Sequence, residues 1–331
     1  MSTARLLQMS GVVVDLVYRV EEVPKAGQEA IVEESMIAPG GGFNAMVAAS
    51  RAGMPVSYGG AHGTGRFADI VRSAISEHEI PVLQNQLGEK DQGTCVVLVD
   101  RDGERTFISQ AGAERYFGSA QFDRIDLSKF DFVLISGYTF ALCNHGDVLE
   151  QWLDTFPDGP KLVFDPSPIV EQISSHILKK VFQQSTWVSA NASEAASITG
   201  YSQPDKAAEA LCTMMGGRSS GALVRNGGEG CWLALPGASA DLVPAFKVGP
   251  IDTNGAGDAH VGAFIAELSR SNDPVHAAKF ANAAAALSTL AYGPATAPAL
   301  EQIHSFMEHQ TPASGEVSDL GSQKILQSTN I

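Results

Sequence analysis

The sequence predicts a three-layer α/β/α fold: a mostly parallel sheet with helices on both faces and a small β-sheet lid. Three observations lead there. From residue 120 onward, short apolar runs alternate with helix-like runs, the pattern of strands joined by crossover helices. Several of those apolar runs end in turns rich in Asn, Gly or Asp, as strand ends of open α/β sheets do. Earlier, Arg101-Asp102-Gly103-Glu104 lies between two β-rich runs, a hairpin signal that interrupts the alternation.

Taken in order, Leu6 to Val17 is rich in Val and Leu and reads as one buried strand. Asp15 near its end is either a strand-end turn residue or a ligand contact at the strand's C-terminal edge, because a buried charge is costly unless it is paired or used. Val20 to Ile37 is more polar and reads as one or two exposed strands. Pro39-Gly40-Gly41-Gly42-Phe43-Asn44 reads as a Gly-rich turn entering a small-residue helix that stops at Gly53. Three glycines let a ligand approach the backbone, and the Asn44 amide suits sugar hydroxyls. A merely flexible loop has the same composition. Val56 to Ala61 is a short strand, Gly65 to His78 a helix, and Pro81-Val82 the start of another strand. Thr94 to Asp100 and Arg105 to Gln110 are the two arms of the hairpin. With residues 16–38 they form the β flap.

Then come a strand at Phe132 to Gly137, a helix at Asp147 to Phe156, a strand at Lys161 to Pro166 and a helix at Ile173 to Gln183. Thr186 to Ser189 is a strand leading to Asn191-Ala192-Ser193-Glu194, and Ala207 to Met215 is a helix. Ala222 to Arg225 is a strand ending in Asn226-Gly227-Gly228-Glu229-Gly230, with a return strand from Cys231 to Leu235. Pro274 to Ala291 is an Ala-rich helix whose single amide, Asn282, either reaches a nucleobase or bonds a neighbouring loop. Ala299 to His309 is the last helix. This makes one domain over 1–311, with its lid from about 16–38 and 94–112, and a loosely attached polar tail over 312–331.

Composition excludes several functions. A net charge of −15 argues against nucleic acid, whose affinity rests on Lys and Arg. It leaves room for a small anionic ligand, since backbone N–H groups hold phosphate without net positive charge. Four scattered cysteines, Cys95, Cys143, Cys212 and Cys231, contain no CxxC pair, so reduced cytoplasmic thiols are expected rather than disulfides or zinc. No signal peptide and no apolar run of about 18 residues is visible, so no membrane span is expected.

The most informative stretch is Ile251-Asp252-Thr253-Asn254-Gly255-Ala256-Gly257-Asp258. It follows a strand-like run, Leu242 to Val248, and a Gly249-Pro250 break, and it opens a helix-like run from Ala259 to Ser269. Bare glycines at a helix N-terminus expose unpaired N–H groups and the positive end of the helix dipole, which suits an anion. Among those donors, the Asp258 carboxylate fits one task well: taking a proton from a hydroxyl as its oxygen attacks a phosphate. The alternative is a capped helix behind an ordinary Gly turn.

Read together, Gly40-Gly41-Gly42-Phe43-Asn44 with its Ala-rich helix, and Asp252-Thr253-Asn254-Gly255-Ala256-Gly257-Asp258, resemble the two motifs of the PfkB/ribokinase family of carbohydrate kinases. The similarity covers roughly residues 5–310. Through Asp100 to Phe107 and Ile135 to Thr139 it is strongest toward an uncharacterised bacterial ribokinase-like branch of sugar kinases. The resemblance implies ATP-dependent phosphorylation of a hydroxymethyl group on a sugar. It makes Asp258 the base and the N–H groups of Gly255, Ala256 and Gly257 the anion hole. Asp15, Gly41, Gly42 and Asn44 would hold the sugar. Asn191 and Glu194 match an Asn-x-x-Glu motif that orders the Mg²⁺ and phosphate water shell. Arg225, Gly227 and Gly230 would cover the nucleotide phosphates, with Asn282 near the adenine. A monovalent cation such as K⁺ would lie beside Asp252, Asn254 and the Ala291 to Gly293 loop. The flap would close over the sugar, and by resemblance it makes a homodimer.

Two departures bear on specificity. His260 stands where many members have an aromatic residue; two positions along a helix points it away from Asp258 and toward packing. Ribose-specific members carry an acidic residue near Ser136-Gly137-Tyr138-Thr139, and this chain has none there. The acceptor is therefore open. A nucleoside kinase would stack a base on Phe43, Phe107, Tyr138 or Phe140, all of which are equally readable as packing. A non-catalytic sensor would not need the intact Asp258 and Glu194, and a dinucleotide oxidoreductase lacks its GxGxxG after the first strand.

Overall fold

Two sheets organise the chain in the computed structural model, which describes residues 4–310; the tail expected over 312–331 lies outside the described residues. β1 (Leu6–Gln8), β2 (Val12–Val20) and β3 (Val32–Gly41) precede α1 (Gly42–Arg51). β4 (Val56–Tyr58), β5 (His62–Gly63), α2 (Arg66–Glu77) and β6 (Gln86–Leu87) follow. β7 (Thr94–Val99) and β8 (Arg105–Gln110) form the hairpin, ahead of α3 (Ser119–Asp123). Next come β9 (Phe132–Ser136), α4 (Gly137–Leu142), α5 (Gly146–Asp154), β10 (Lys161–Asp165), α6 (Ser175–Gln184), β11 (Ser185–Asn191), α7 (Ala192–Thr199) and α8 (Pro204–Met214). β12 (Gly221–Arg225), β13 (Gly230–Ala234) and β14 (Asp241–Pro244) lead to α9 (Ala256–Ser271), α10 (Pro274–Ser288) and α11 (Leu300–His309).

The larger sheet has the order β14-β13-β12-β11-β10-β9-β1-β4 and is parallel from β12 to β4. β13 and β14 are antiparallel additions at one edge. Its strands bury both faces, and the alternation of side chains divides them between two cores. Leu6, Phe132, Leu134, Val163, Trp187 and Leu223 pack with α1, α2, α9, α10 and α11. Their neighbours Leu7, Val133, Ile135, Leu162, Val188 and Val224 pack with α5 to α8. Among the described residues no helix is long and apolar enough to cross a membrane.

The smaller sheet has the order β3-β2-β7-β8. It corrects two expectations. Leu6 to Val17 is not one strand: β1 belongs to the larger sheet and β2 to the smaller, with the break at Met9-Ser10-Gly11. The Ser10 N–H leaves the ladder for the Gln8 side chain at 3.0 Å. An apolar run carries no mark of which sheet it joins, so two buried strands read as one. Pro39-Gly40-Gly41 is also not a turn. It is the end of β3, with Pro39 opposite Val14 and Gly41 opposite Val12. β3 is an edge strand, where a residue without an N–H is tolerated. Pro81-Val82, expected to start a strand, contributes only an isolated bridge between Val82 and Tyr58. The smaller sheet reaches the loops that flank α9 and α10, where Arg105 pairs with Asp252 and the Arg19 guanidinium lies 5.0 Å from the centre of the Tyr292 ring.

Candidate active site

Four successive parallel strands end in polar residues: Ser136 of β9, Asp165 of β10, Asn191 of β11 and Arg225 of β12. The register sets Asp165 beside Ser136 and Asn191 beside Arg225. All four line a cavity of about 340 Å³, together with residues of the smaller sheet. The location is the C-terminal edge of the sheet, where carboxyl ends of strands leave a crevice.

The floor is the start of α9. Some helices here are closed by a capping side chain. Asp273 caps α10 through the N–H groups of Val275 and His276, and Asn191 with Glu194 forms a reciprocal capping box on α7, both bonds 2.8 Å. α9 has no side-chain cap; it begins at Gly255 with φ 73°. The Ala256 N–H bends back to the Thr253 carbonyl at 3.3 Å. Those of Gly255 and Gly257 have no acceptor among the described residues. Donors left open at a helix N-terminus form an anion site.

Asp258, in the first turn of α9, accepts a hydrogen bond from Asn44 Nδ2 at 3.1 Å. These residues are 214 positions apart, and the packing of α1 on α9 brings them together. Gly262 makes that packing possible, because a Cβ there would lie 2.5 Å from the Ala45 carbonyl oxygen. Burial pushes the Asp258 carboxyl up to about 7, helped by the nearby Asp165 charge and opposed by Asn44 and Arg225. Arg225 Nη1 lies 3.2 Å from Asp165 Oδ2 and donates to the Gly257 carbonyl at 3.0 Å. It stands 3.7 Å from Glu194. Burial and the Asp165 charge raise the Glu194 carboxyl, and Arg225 holds that rise in check. One cation thus serves three carboxylates.

The opposite wall comes from the smaller sheet. Asp15, buried in the middle of β2, lines the cavity. It is therefore neither a strand-end turn residue nor at a C-terminal strand edge of the larger sheet. Burial raises its carboxyl to about 6. Its carboxylate has no hydrogen-bond donor among the described residues. Gly40 is what makes room for it, since any Cβ there would fall onto the Asp15 carboxylate. Gly41 and Gly42, the glycines expected at the site, also line the cavity.

Several expected site residues are used differently from the expectation. Asn44 lines the cavity, but its amide is largely committed: besides Asp258, its Oδ1 accepts from the Ala295 N–H at 2.9 Å. It braces more than it binds. Asn282 is turned inward and bonds the Val243 and Pro244 carbonyls at 2.8 and 3.2 Å, so the loop-bonding alternative holds rather than contact with a base. Its Oδ1 faces His260 Nε2 at 3.2 Å, which makes His260 a buried packing residue whose titration is pushed down to about 3 by burial. Asp252 is occupied too: it takes Arg105, the Asn254 N–H and the Gly293 N–H. Asn254 lines the cavity. Gly227 and Gly230 sit in and just after the β12–β13 turn, away from the cavity lining. Of the candidate stacking residues, Phe43 and Phe140 are buried, whereas Phe107 and Tyr138 are 58% and 42% exposed and line the cavity.

Asp165, Arg115 and Glu114 line the cavity without having been expected from sequence. Asp165 closes β10 as an Asp-Pro pair, which is indistinguishable from an ordinary strand-end turn. Arg115 lines the cavity from a polar loop that reads as surface.

Comparison with known proteins shows the family. The family model described as pfkB family carbohydrate kinase matches residues 6–301. The chain is 28% identical over 306 residues to the uncharacterised sugar kinase YegV of Escherichia coli, covering 90% of this chain and 92% of that protein. It is 26% identical over 269 residues to ribokinase of Mus musculus, covering 78% and 80%. The ribokinase structure from Giardia lamblia superposes with a TM-score of 0.79 at 23% identity, over 92% of this chain and 99% of that one.

Proposed function

The chain belongs to the pfkB family of carbohydrate kinases, and on that premise we propose that it transfers the γ-phosphoryl group of ATP to a hydroxymethyl group of a sugar. The observation that carries this reading is the Asp258 carboxylate, tuned to about 7 at the open N-terminus of α9 and facing the same cavity as Asp15. The acceptor hydroxyl gives its proton to Asp258. Its oxygen then bonds to the γ-phosphorus, the bond to the β–γ bridging oxygen breaks, and ADP leaves. Such a transfer mainly needs alignment and charge stabilisation. The open N–H groups of Gly255 and Gly257 supply the latter, joined by that of Ala256 if it leaves the Thr253 carbonyl, and Arg225 holds the Gly257 carbonyl end of that turn. A general base adds roughly 10²–10⁴-fold.

Asp15 accepts acceptor hydroxyls, with Gly41 and Gly42 lining the sugar and one N–H of Asn44 left to join them. Asn191, Arg225, Gly227 and Gly230 serve the nucleotide. A Mg²⁺ would be held mainly by phosphates and water, with Glu194 and Asp165 in its outer shell. That ion would neutralise phosphate charge. A K⁺ beside Asp252, Asn254 and the 291–293 loop would share Asp252 with Arg105. The smaller sheet acts as the lid that excludes water. Its exposed Ile31, Ile37 and Ile108 support a homodimer through that surface.

Phe107 and Tyr138 at the cavity favour one second reading, a nucleoside kinase with a base stacked between them. A panel of sugars and nucleosides with ATP and Mg²⁺, read by ADP release, decides. Sugar-dependent ADP release is expected. Release with nucleosides alone selects the second reading, and ATP binding without acceptor-dependent release across the panel overturns both.

A further inference from the structure

The cavity lining contains five carboxylates, Asp15, Glu114, Asp165, Glu194 and Asp258, and two basic residues, Arg225 and Arg115. Arg225 is held between Asp165 and Glu194. Arg115 has no ion pair and no side-chain hydrogen bond among the described residues, and its Nε is buried without an acceptor. The neighbouring Glu114 carboxylate feels the Arg115 charge but makes no ion pair or hydrogen bond with it. That carboxylate is turned to the N–H groups of Gly112 and Gly93, at 2.6 and 2.8 Å. A second unpartnered polar atom lies on the adjoining element. Thr139 of α4 lines the same cavity, and its buried Oγ1 has no partner. α4 packs on the Ala113–Arg115 turn, and the Asn144 N–H ties the end of α4 to the Arg115 carbonyl at 3.1 Å.

A chain with net charge −15 has ample carboxylates to pair an arginine. Here the guanidinium is left unpaired in a cavity, and a buried donor without an acceptor is costly. Neutral hydroxyls are served by Asp15 and backbone groups; a guanidinium fork matches a carboxylate or a phosphate.

We propose that Arg115, with the Thr139 hydroxyl on the neighbouring helix, binds an anionic substituent, a carboxylate or a phosphate, on the sugar accepted at this site. The acceptor is then a sugar acid or a sugar monophosphate, and Arg115 is its specificity-determining residue. This rests on the sugar-kinase reading above. It uses the one basic residue of the cavity lining that no carboxylate pairs among the described residues.

The test uses matched probes: gluconate against glucose for the carboxylate source, and fructose 6-phosphate against fructose for the phosphate source. At least one anionic probe is expected to exceed its neutral parent in kcat/KM by about tenfold to a hundredfold, the scale of a hydrogen bond to a charged group. Arg115→Met collapses that ratio by raising KM for the anionic probe about tenfold or more beyond any change for its neutral parent, while Arg115→Lys keeps part of the ratio. Thr139→Val acts in the same direction with a smaller effect, and it serves if Arg115→Met does not fold. Neutral parents turned over as well as anionic probes, or Arg115→Met lowering both alike, overturns the inference. If none of these probes releases ADP, the kinase reading is left to the wider panel and thermal shift decides here. Stabilisation by an anionic probe that Arg115→Met loses supports the inference, and no such stabilisation overturns it.

Discussion

The two walls of the cavity are built on opposite plans. On the wall formed by α9 and the strand ends, nearly every polar side chain is held by another: Asn44 on Asp258, Arg225 on Asp165 and Gly257, Glu194 on the backbone of Asn191. Elsewhere in the lining, on β2, the Ala113–Arg115 turn and α4, Asp15 has no hydrogen-bond donor and Arg115 Nε and Thr139 Oγ1 are buried without partners among the described residues. The difference separates two tasks. Phosphoryl transfer needs groups fixed before the substrate arrives, so they brace one another. Recognition needs groups whose unmet hydrogen bonds the substrate completes.

The largest effect that would break this division falls on the braced wall. Asp258→Asn keeps the acceptor for Asn44 Nδ2 and removes only the base. It should lower kcat by about a hundredfold or more while acceptor affinity, measured by calorimetry, stays within about threefold. In the wild type, kcat/KM should fall as pH drops below about 7, where the free enzyme's carboxyl takes up its proton. Turnover near wild type in the variant would leave Asp258 as a mere helix-start residue.

That wall was also the more legible one in the sequence. Its glycines and Asp258 are contiguous, and Asn191, Glu194 and Arg225 fall at strand ends that periodicity locates. What could not be read were long-range pairs. The bond from Asn44 to Asp258 spans 214 positions, and nothing local to either residue announces the other. Asp165 looked like a turn because its partner Arg225 is 60 positions away. The rest of the lining was harder still. β1 and β2 are both apolar, so their membership of different sheets left no trace in composition, and Asp15 was placed at the wrong edge. Arg115 sits in a Glu-Arg pair of a polar loop, the pattern of a solvated surface, and only its position in three dimensions marks it.

On the unpartnered wall the matching change is Asp15→Ala. It should raise KM for the acceptor about a hundredfold, as loss of charge-assisted hydrogen bonds does, with kcat changed far less. A fall confined to kcat would contradict the division of tasks. Asn44→Ala tests the boundary between the walls. Asn44 touches Asp258 and the Ala295 backbone, and its loss should lower kcat by about tenfold with a small change in KM, because it positions the base. A KM effect as large as that of Asp15→Ala would move Asn44 to the recognition side.

The smallest effect is on stability, and it compares the walls directly. Each holds one carboxyl above the usual range: Asp258 at about 7 through burial and then the Asp165 charge, Asp15 at about 6 through burial. A carboxyl raised on folding favours the native state while both forms are protonated, below the unfolded value near 3.8. That stability is lost as pH rises through the folded value, so at pH 8 both ionised groups weigh against the fold. An Asn in place of either carboxylate stays neutral. Asp258→Asn should therefore raise Tm by a few degrees at pH 8, and Asp15→Asn by less. Both gains should shrink as pH falls through 7 and 6 respectively, and vanish near pH 4. Thermal scans across that range read the order. A larger gain at Asp15 would mean that the lid-side carboxylate, which no protein donor supports, is the more unfavourably held of the two.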